Sequence, residues 1–173
     1  MKKDNWILKA FLMTFFIALI FSSASNYLIS KFNNTILLIV LCVIFIGIGI
    51  LFDIIGTAVL TANEASFHAK SAKKIKGSKE GVYLVKNSST IASICNDVIG
   101  DICGIVSGSI GAMLAINIST KLNVSTVIVT LLVSSIISSL TVGGKAIGKK
   151  QAIKNSDTIL FVAAKVLSKF KTK

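Results

Sequence analysis

The chain contains apolar runs that are too long for the core of a soluble domain. One of them, Ile36–Phe52, has no charged side chain, and apolar residues make up 53% of the sequence. A helix needs about 20 consecutive, mainly apolar residues to cross a bilayer, whereas a helix in a soluble domain has one apolar and one polar face. We therefore expect an all-α integral membrane protein.

Four segments are apolar and long enough to be transmembrane helices. Their predicted bounds are about 6–30, 35–62, 88–118 and 124–142. The lysine-rich stretch after the second segment and the C-terminal tail each have apolar side chains on one helical face. These patterns predict amphipathic juxtamembrane helices at the cytoplasmic interface, at about 64–87 and 151–172. A solvated loop is the alternative for the first of these two stretches.

The lysines indicate an orientation. The net charge of +12 comes from 19 lysines, and an N-terminus inside the cell leaves only Lys31 and Lys121 in the outer links. Because lysines collect on cytoplasmic loops, we expect a multi-pass protein of the cell membrane with both termini in the cytoplasm. The arginine and aromatic pattern typical of nucleic-acid binding is missing. The expected partner is therefore the lipid bilayer, including its anionic lipids, and not nucleic acid.

Three carboxylates fall inside the predicted membrane helices. Asp97 and Asp101 are one α-helical turn apart, and Asp53 lies at a similar depth on the preceding helix, roughly 13 Å from its cytoplasmic end. Carboxylate oxygens are the ligands that hard divalent cations prefer, and Asn96 and Thr57 add neutral oxygens. The sequence therefore predicts one shared cation site.

Two explanations without a metal ion stay open for these acids. Each aspartate could be protonated or bonded to a neighbouring hydroxyl group, or the acids could form a proton relay. No catalytic constellation competes with these readings, because the one histidine, His68, has no nucleophile near it in sequence. We therefore expect no enzymatic activity.

The acidic face continues into a series of glycines at spacings of three and four. Small residues at such spacings permit close approach of helices in membranes, so a packing role is expected for them. The series consists of Gly100, Gly104, Gly108 and Gly111.

Four short stretches of the chain form a recognisable set: Phe52–Ala58 with Asn63, the lysine-rich segment to Asn87, Asn96–Asp101, and Gly144–Ala152 with Asn155 and Asp157. These stretches resemble the cyclin M/CorC magnesium transporter family and its membrane part, the DUF21 domain. They occur in the family's order and cover about residues 36–173.

The resemblance implies a homodimeric membrane domain at 35–173 that binds Mg²⁺, or another divalent cation, between its helices. The family's ligands are a serine, which matches Asp53, and two asparagines, which match Asp97 and Asp101. Backbone oxygens near a glycine that matches Gly144 also contribute. The family commonly exports Mg²⁺ coupled to Na⁺.

The chain also departs from the family pattern. Lys145 replaces an acid that usually follows the third-helix glycine, and residues 1–34 form an additional N-terminal transmembrane helix. The regulatory CBS pair is missing, so a separate cytosolic regulatory protein is a possible partner. The leading hypothesis is Mg²⁺ export. One alternative is a non-transporting membrane scaffold or regulatory subunit whose acids are neutralised by Lys145, and a second is a proton-coupled transporter of a small solute.

Overall fold

The structure is a computed structural model that describes residues 4–31 and 34–171, with side chains for 8–27 and 34–170. Every regular element in these ranges is a helix. The α-helices are α1 Asp4–Lys31, α2 Thr35–Thr61, α3 Glu64–Ala72, α4 Ser78–Lys86, α5 Ser88–Ser93, α6 Asp101–Leu122, α7 Thr126–Lys154 and α8 Ser156–Lys171. A π-helical segment, Ile94–Gly100, joins α5 to α6.

Four helical segments are long and apolar enough to span a membrane, as the sequence predicted. They are Leu8–Tyr27, Thr35–Thr61, Ser88–Leu122 and Thr126–Lys154. Many of their exposed side chains are apolar, and in α7 Val127 is 69% exposed and Leu131 64% exposed. Such exposed apolar surface is compatible with a membrane protein. Of the predicted outer link at 31–34, residues 32 and 33 lie outside the described ranges, as do Lys2, Lys3 and Lys173.

The first compact unit contains the chain up to Ile50 together with Val98–Gly144. Its core is formed by side chains of α2 and α6, among them Leu38, Ile102 and Ile110, each no more than 1% exposed. The additional N-terminal helix, α1, packs on the same core through Met13, Ile17, Ala18 and Phe21.

The second compact unit contains Leu51–Asp97 and the chain from Lys145 onward. Its core surrounds the ring of Phe67 on α3, which is fully buried between Val59 of α2, Leu84 of α4 and Leu160 of α8. Asn63 starts α3 by accepting a hydrogen bond from the backbone N–H of Ala65. Short amphipathic helices thus pack directly on the end of an apolar one.

Gly77 begins α4 in a conformation that favours glycine. Its φ angle is +88°, and an added Cβ would lie 3.0 Å from the Cα of Lys165 on α8. A side chain here would be strained and would also separate α4 from α8.

Helix α7 continues well beyond its predicted end near Val142 and stops at Lys154. The chain contains no proline, and Gly143 and Gly144 lie inside the helix without ending it. Lys145 and Lys149 therefore lie on the helix itself, and α8 follows after Asn155.

Candidate functional site

Asp53 is the one acidic side chain among the buried residues that the structure describes. It lies on α2 and is 2% exposed. Its Oδ2 atom is buried and has no hydrogen-bond partner in the described part of the chain. A buried charged group without hydrogen bonds is costly, so this carboxylate needs a positively charged neighbour or a bound ligand.

Lys149 on α7 supplies a positive charge next to Asp53. Its Nζ atom lies 3.6 Å from Oδ2, and its side chain is half exposed, whereas that of Asp53 is 3% exposed. The distance is too long for a hydrogen bond, so the pair is held by charge attraction alone. Asp53 lies about two turns before the end of α2, and Lys149 less than two turns before the end of α7.

Asn96 presents a second unsatisfied oxygen in the same unit. Its amide packs directly against Gly56, where an added Cβ would collide with it. Its Oδ1 atom is buried and, like Oδ2 of Asp53, accepts no hydrogen bond from any residue described. Gly56 follows Asp53 by three residues, so the two lie on neighbouring positions of one helix face. The second unit therefore brings a carboxylate oxygen and an amide oxygen to the same side of α2.

The backbone around Asn96 and Asp97 is π-helical, over Ile94–Gly100. A π turn bonds residue i to i+5 instead of i+4, and such turns occur frequently at functional sites. The sequence reading assumed a regular α-helix. A four-residue spacing is slightly more than one turn of an α-helix and slightly less than one turn of a π-helix, so the π segment rotates Asp101 relative to Asp97 compared with a regular α-helix.

The other predicted ligands are placed differently from Asp53. Asp97, in the second unit, and Asp101, in the first, are both exposed. Thr57 is half buried, as is Lys145. Gly144 is half buried, and its Cα packs against the Ile50 side chain within the first unit.

Among the side chains described, at 8–27 and 34–170, there is no group of three or more His, Cys, Asp or Glu residues placed to hold a metal ion. Asp53 with Asn96 is the one pair of buried, unbonded side-chain oxygens in these ranges. The three-carboxylate site remains a prediction. The side chains that the structure itself offers for a site are those of Asp53, Asn96 and Lys149.

The glycine series lies partly on open surface. Gly100 is buried, and the Cα of Gly111 packs closely on Ile137 of α7. At Gly104 and Gly108 an added Cβ would meet none of the described atoms within 4 Å. These two glycines line a groove of about 220 Å³ whose other walls come from α7.

Lys149 is the residue that sequence reasoning missed. The fourth span was expected to end near Val142, and Lys145, the first lysine after that end, was therefore predicted to be the neutralising charge. The sequence does contain an indication that Lys149 lies on the same helix. The chain has no proline to stop the helix after Val142, and Lys149 follows Lys145 by about one turn. His68, by contrast, is exposed on α3, and its Nε2 lies 3.2 Å from Oε1 of Glu64.

The chain matches no protein-family model, no curated protein and no solved structure. The resemblance to the cyclin M/CorC family therefore stays a prediction from short motifs. The features that bear on function are the buried oxygens of Asp53 and Asn96 and the positive charge of Lys149.

Proposed function

We propose that the chain is an integral membrane protein that binds and transports a cation, with the Asp53 carboxylate as the central ligand. The favoured cargo is a divalent ion, and Mg²⁺ export of the cyclin M/CorC type is the specific form of the proposal. The observation that supports it best is the unbonded Oδ2 of Asp53, on a side chain that is 2% exposed.

The chemistry of the site suits a cation. A carboxylate oxygen and an amide oxygen are hard ligands, and Mg²⁺ is usually bound by one or two carboxylates while it keeps several waters. Asp53 and Asn96 supply one oxygen of each kind. Asp97 and Asp101 stay in the proposed ligand set as residues predicted from the sequence.

Lys149 then acts as a tethered competitor of the cargo ion. Its ammonium group balances the Asp53 charge when no ion is bound, and its half-exposed side chain is free to withdraw towards water. Transport requires that a site exchange its ion, and an internal cation that takes the ion's place lowers the barrier to release.

A second function is favoured by the same ion pair. If Lys149 neutralises Asp53 permanently, the chain is a non-transporting membrane scaffold or regulatory subunit. In that form the ion pair contributes to stability, and no external cation competes for the carboxylate.

Cation binding by the purified, full-length chain separates the two functions. Manganese binding is measured by electron paramagnetic resonance in detergent, with Mg²⁺ as a competitor. The transporter proposal expects Asp53→Asn to abolish binding, Glu64→Gln, at an exposed acid, to leave it unchanged, and Lys149→Gln to raise affinity by about ten-fold or more.

The scaffold is supported instead if neither the native chain nor Lys149→Gln binds the ion while Lys149→Gln is less stable. Flux of Mg²⁺ into dye-loaded vesicles then tests transport itself. Flux that depends on pH without any added metal would indicate the proton-coupled alternative.

A further inference from the structure

Helix α8 has one face that is buried within the second unit. Leu160, Ala164 and Ser168 follow one another at four-residue intervals, and none is more than 6% exposed. Leu160 and Ala164 belong to the core around Phe67. This face attaches α8 to α3, α4 and the end of α2.

A second apolar face of α8 is not used in this packing. Val162 is 58% exposed, Val166 51% and Phe170 80%, again at four-residue intervals, and Leu167 beside them is 41% exposed. We call these four side chains the α8 strip. A helix that is apolar on two faces needs apolar surroundings on both.

The α8 strip continues onto α4 through a shallow depression. The depression has a volume of about 480 Å³ and is lined by Lys79, Glu80, Tyr83, Leu167 and Phe170. Tyr83 is 57% exposed, with its hydroxyl group available to water or headgroups. Tyrosine is enriched at the level of lipid headgroups, where one end of the ring is apolar and the other wet.

Two hydrogen bonds join the start of α8 to the end of α2 and the residue that caps α3. The hydroxyl group of Ser156 donates a hydrogen bond of 3.3 Å to the carbonyl of Thr61, near the end of α2. Oδ1 of Asp157 accepts a bond of 2.8 Å from the backbone N–H of Asn63. Because packed helices lie about 8–10 Å apart, α8 begins within about one helix diameter of the point where α2 ends.

Positive charge surrounds the α8 strip. Lys165 and Lys169 lie on α8 and Lys79 at the edge of the depression, and all three are exposed. Glu80 is the acid that faces them in the depression. An apolar strip bordered by lysines is complementary to an anionic bilayer surface, since acyl chains take the apolar groups and phosphates take the ammonium groups.

From this arrangement we infer that the α8 strip and the adjoining face of α4 form a docking surface for anionic lipid at the membrane boundary. The inference rests on the proposed membrane insertion, because α2 must end at that boundary. It does not depend on the cation site, so a loss of cation binding would leave it intact.

Fluorescence quenching in reconstituted bilayers tests the position of the strip. The full-length Trp6→Phe/Phe170→Trp protein carries a single tryptophan on the strip, and the matched Trp6→Phe/His68→Trp protein carries one on the exposed polar side of α3. Lipids brominated high in the acyl chain are expected to quench the first tryptophan and not the second. A tryptophan at 170 that is quenched by aqueous acrylamide and not by brominated lipid overturns the inference.

The choice of lipid is tested in the same proteins. Brominated phosphatidylglycerol in a phosphatidylcholine bilayer is compared with brominated phosphatidylcholine in phosphatidylglycerol at equal bromine content. The anionic lipid should be enriched around position 170, and Lys165→Gln and Lys169→Gln should each reduce its relative affinity by about five-fold. Lys121→Gln, in the first unit, is the control and should change nothing.

Two further results would overturn the inference. The first is equal quenching by both brominated lipids, which would show an apolar contact without charge recognition. The second is protection of the position-170 tryptophan that disappears when the protein is diluted in excess lipid, because a second copy of the chain would then be what covers the strip.

Discussion

The two compact units satisfy their buried polar groups in different ways. In the first unit, Ser107 is fully buried, and its hydroxyl group donates a hydrogen bond of 2.9 Å to the carbonyl of Gly104 on the same helix. In the second unit, Asp53 is almost as deeply buried, but its Oδ2 has an ammonium group 3.6 Å away and no hydrogen bond from the residues described. A serine can be satisfied locally by its own helix, whereas a carboxylate cannot.

This difference indicates where function is to be sought. Own-helix bonding is repeated at the buried serines Ser119 and Ser168, and Ser78 likewise bonds locally, to the carbonyl of Ile75 in the turn before α4. These hydroxyl groups fit an apolar interior at little cost and imply no ligand. Burial of the Asp53 carboxylate has a free-energy cost that Lys149 offsets only in part, and a buried ionisable group of this kind is a candidate functional residue.

Lys149→Glu should have the largest effect of the variants that test this comparison. It places a second negative charge beside the buried carboxylate, and we expect a loss of roughly 2–3 kcal/mol, less than for a fully buried pair because Lys149 is half exposed. Denaturant titration in detergent micelles measures the change. Lys150→Glu is the matched control on the exposed side of α7 and should be nearly neutral. A neutral Lys149→Glu would mean that the ion pair contributes nothing to the second unit.

Gly56→Ala should have an intermediate effect. The new methyl group collides with the Asn96 amide, and we expect a loss of about 1–2 kcal/mol together with displacement of the unbonded Oδ1. Gly47→Ala is the control on the same helix, where an added Cβ would meet no described atom within 4 Å. It should be neutral or slightly stabilising, since alanine favours helices. Equal stability of the two variants would show that the close Gly56–Asn96 contact does not affect the stability of the second unit.

Ser107→Ala should have the smallest effect, within about 1 kcal/mol of the native protein by the same titration. The variant loses one local hydrogen bond, and the carbonyl of Gly104 keeps its place in the α6 helix. A much larger loss would show that the first unit also depends on a buried polar group, and the contrast with Asp53 would then be weaker.

The elements were largely predictable from the sequence, whereas the contacts of the site were not. The apolar runs predicted four membrane-length helices, and the apolar spacing predicted amphipathic helices at about 64–87 and 151–172. The depth of Asp53 on α2 was also readable from its distance to the helix end. Its partner was not, because an ion pair between α2 and α7 depends on how far α7 continues and on how the two helices are rotated.

Asp97 and Asp53 illustrate the same limit. Both are aspartates in apolar helical segments, and the sequence treats them as equivalent, yet one is exposed and the other buried. Asp97 lies within the π-helical turn Ile94–Gly100, and no residue pattern predicted this turn. Helix α8 shows the limit as well, because the sequence predicted one apolar face, whereas in the structure Leu160 and Ala164 are buried and the α8 strip is exposed.

The sequence by itself determined that this protein is helical and that four of its helices are long and apolar enough to span a membrane. These are properties of single segments, set by the transfer of side chains and backbone between water and an apolar phase. Only the tertiary structure decided that Asp53 meets Lys149, that Asn96 packs on Gly56, and that α8 keeps an uncovered apolar strip. Such contacts join residues far apart in the chain, and they depend on helix rotation and packing that no local pattern encodes.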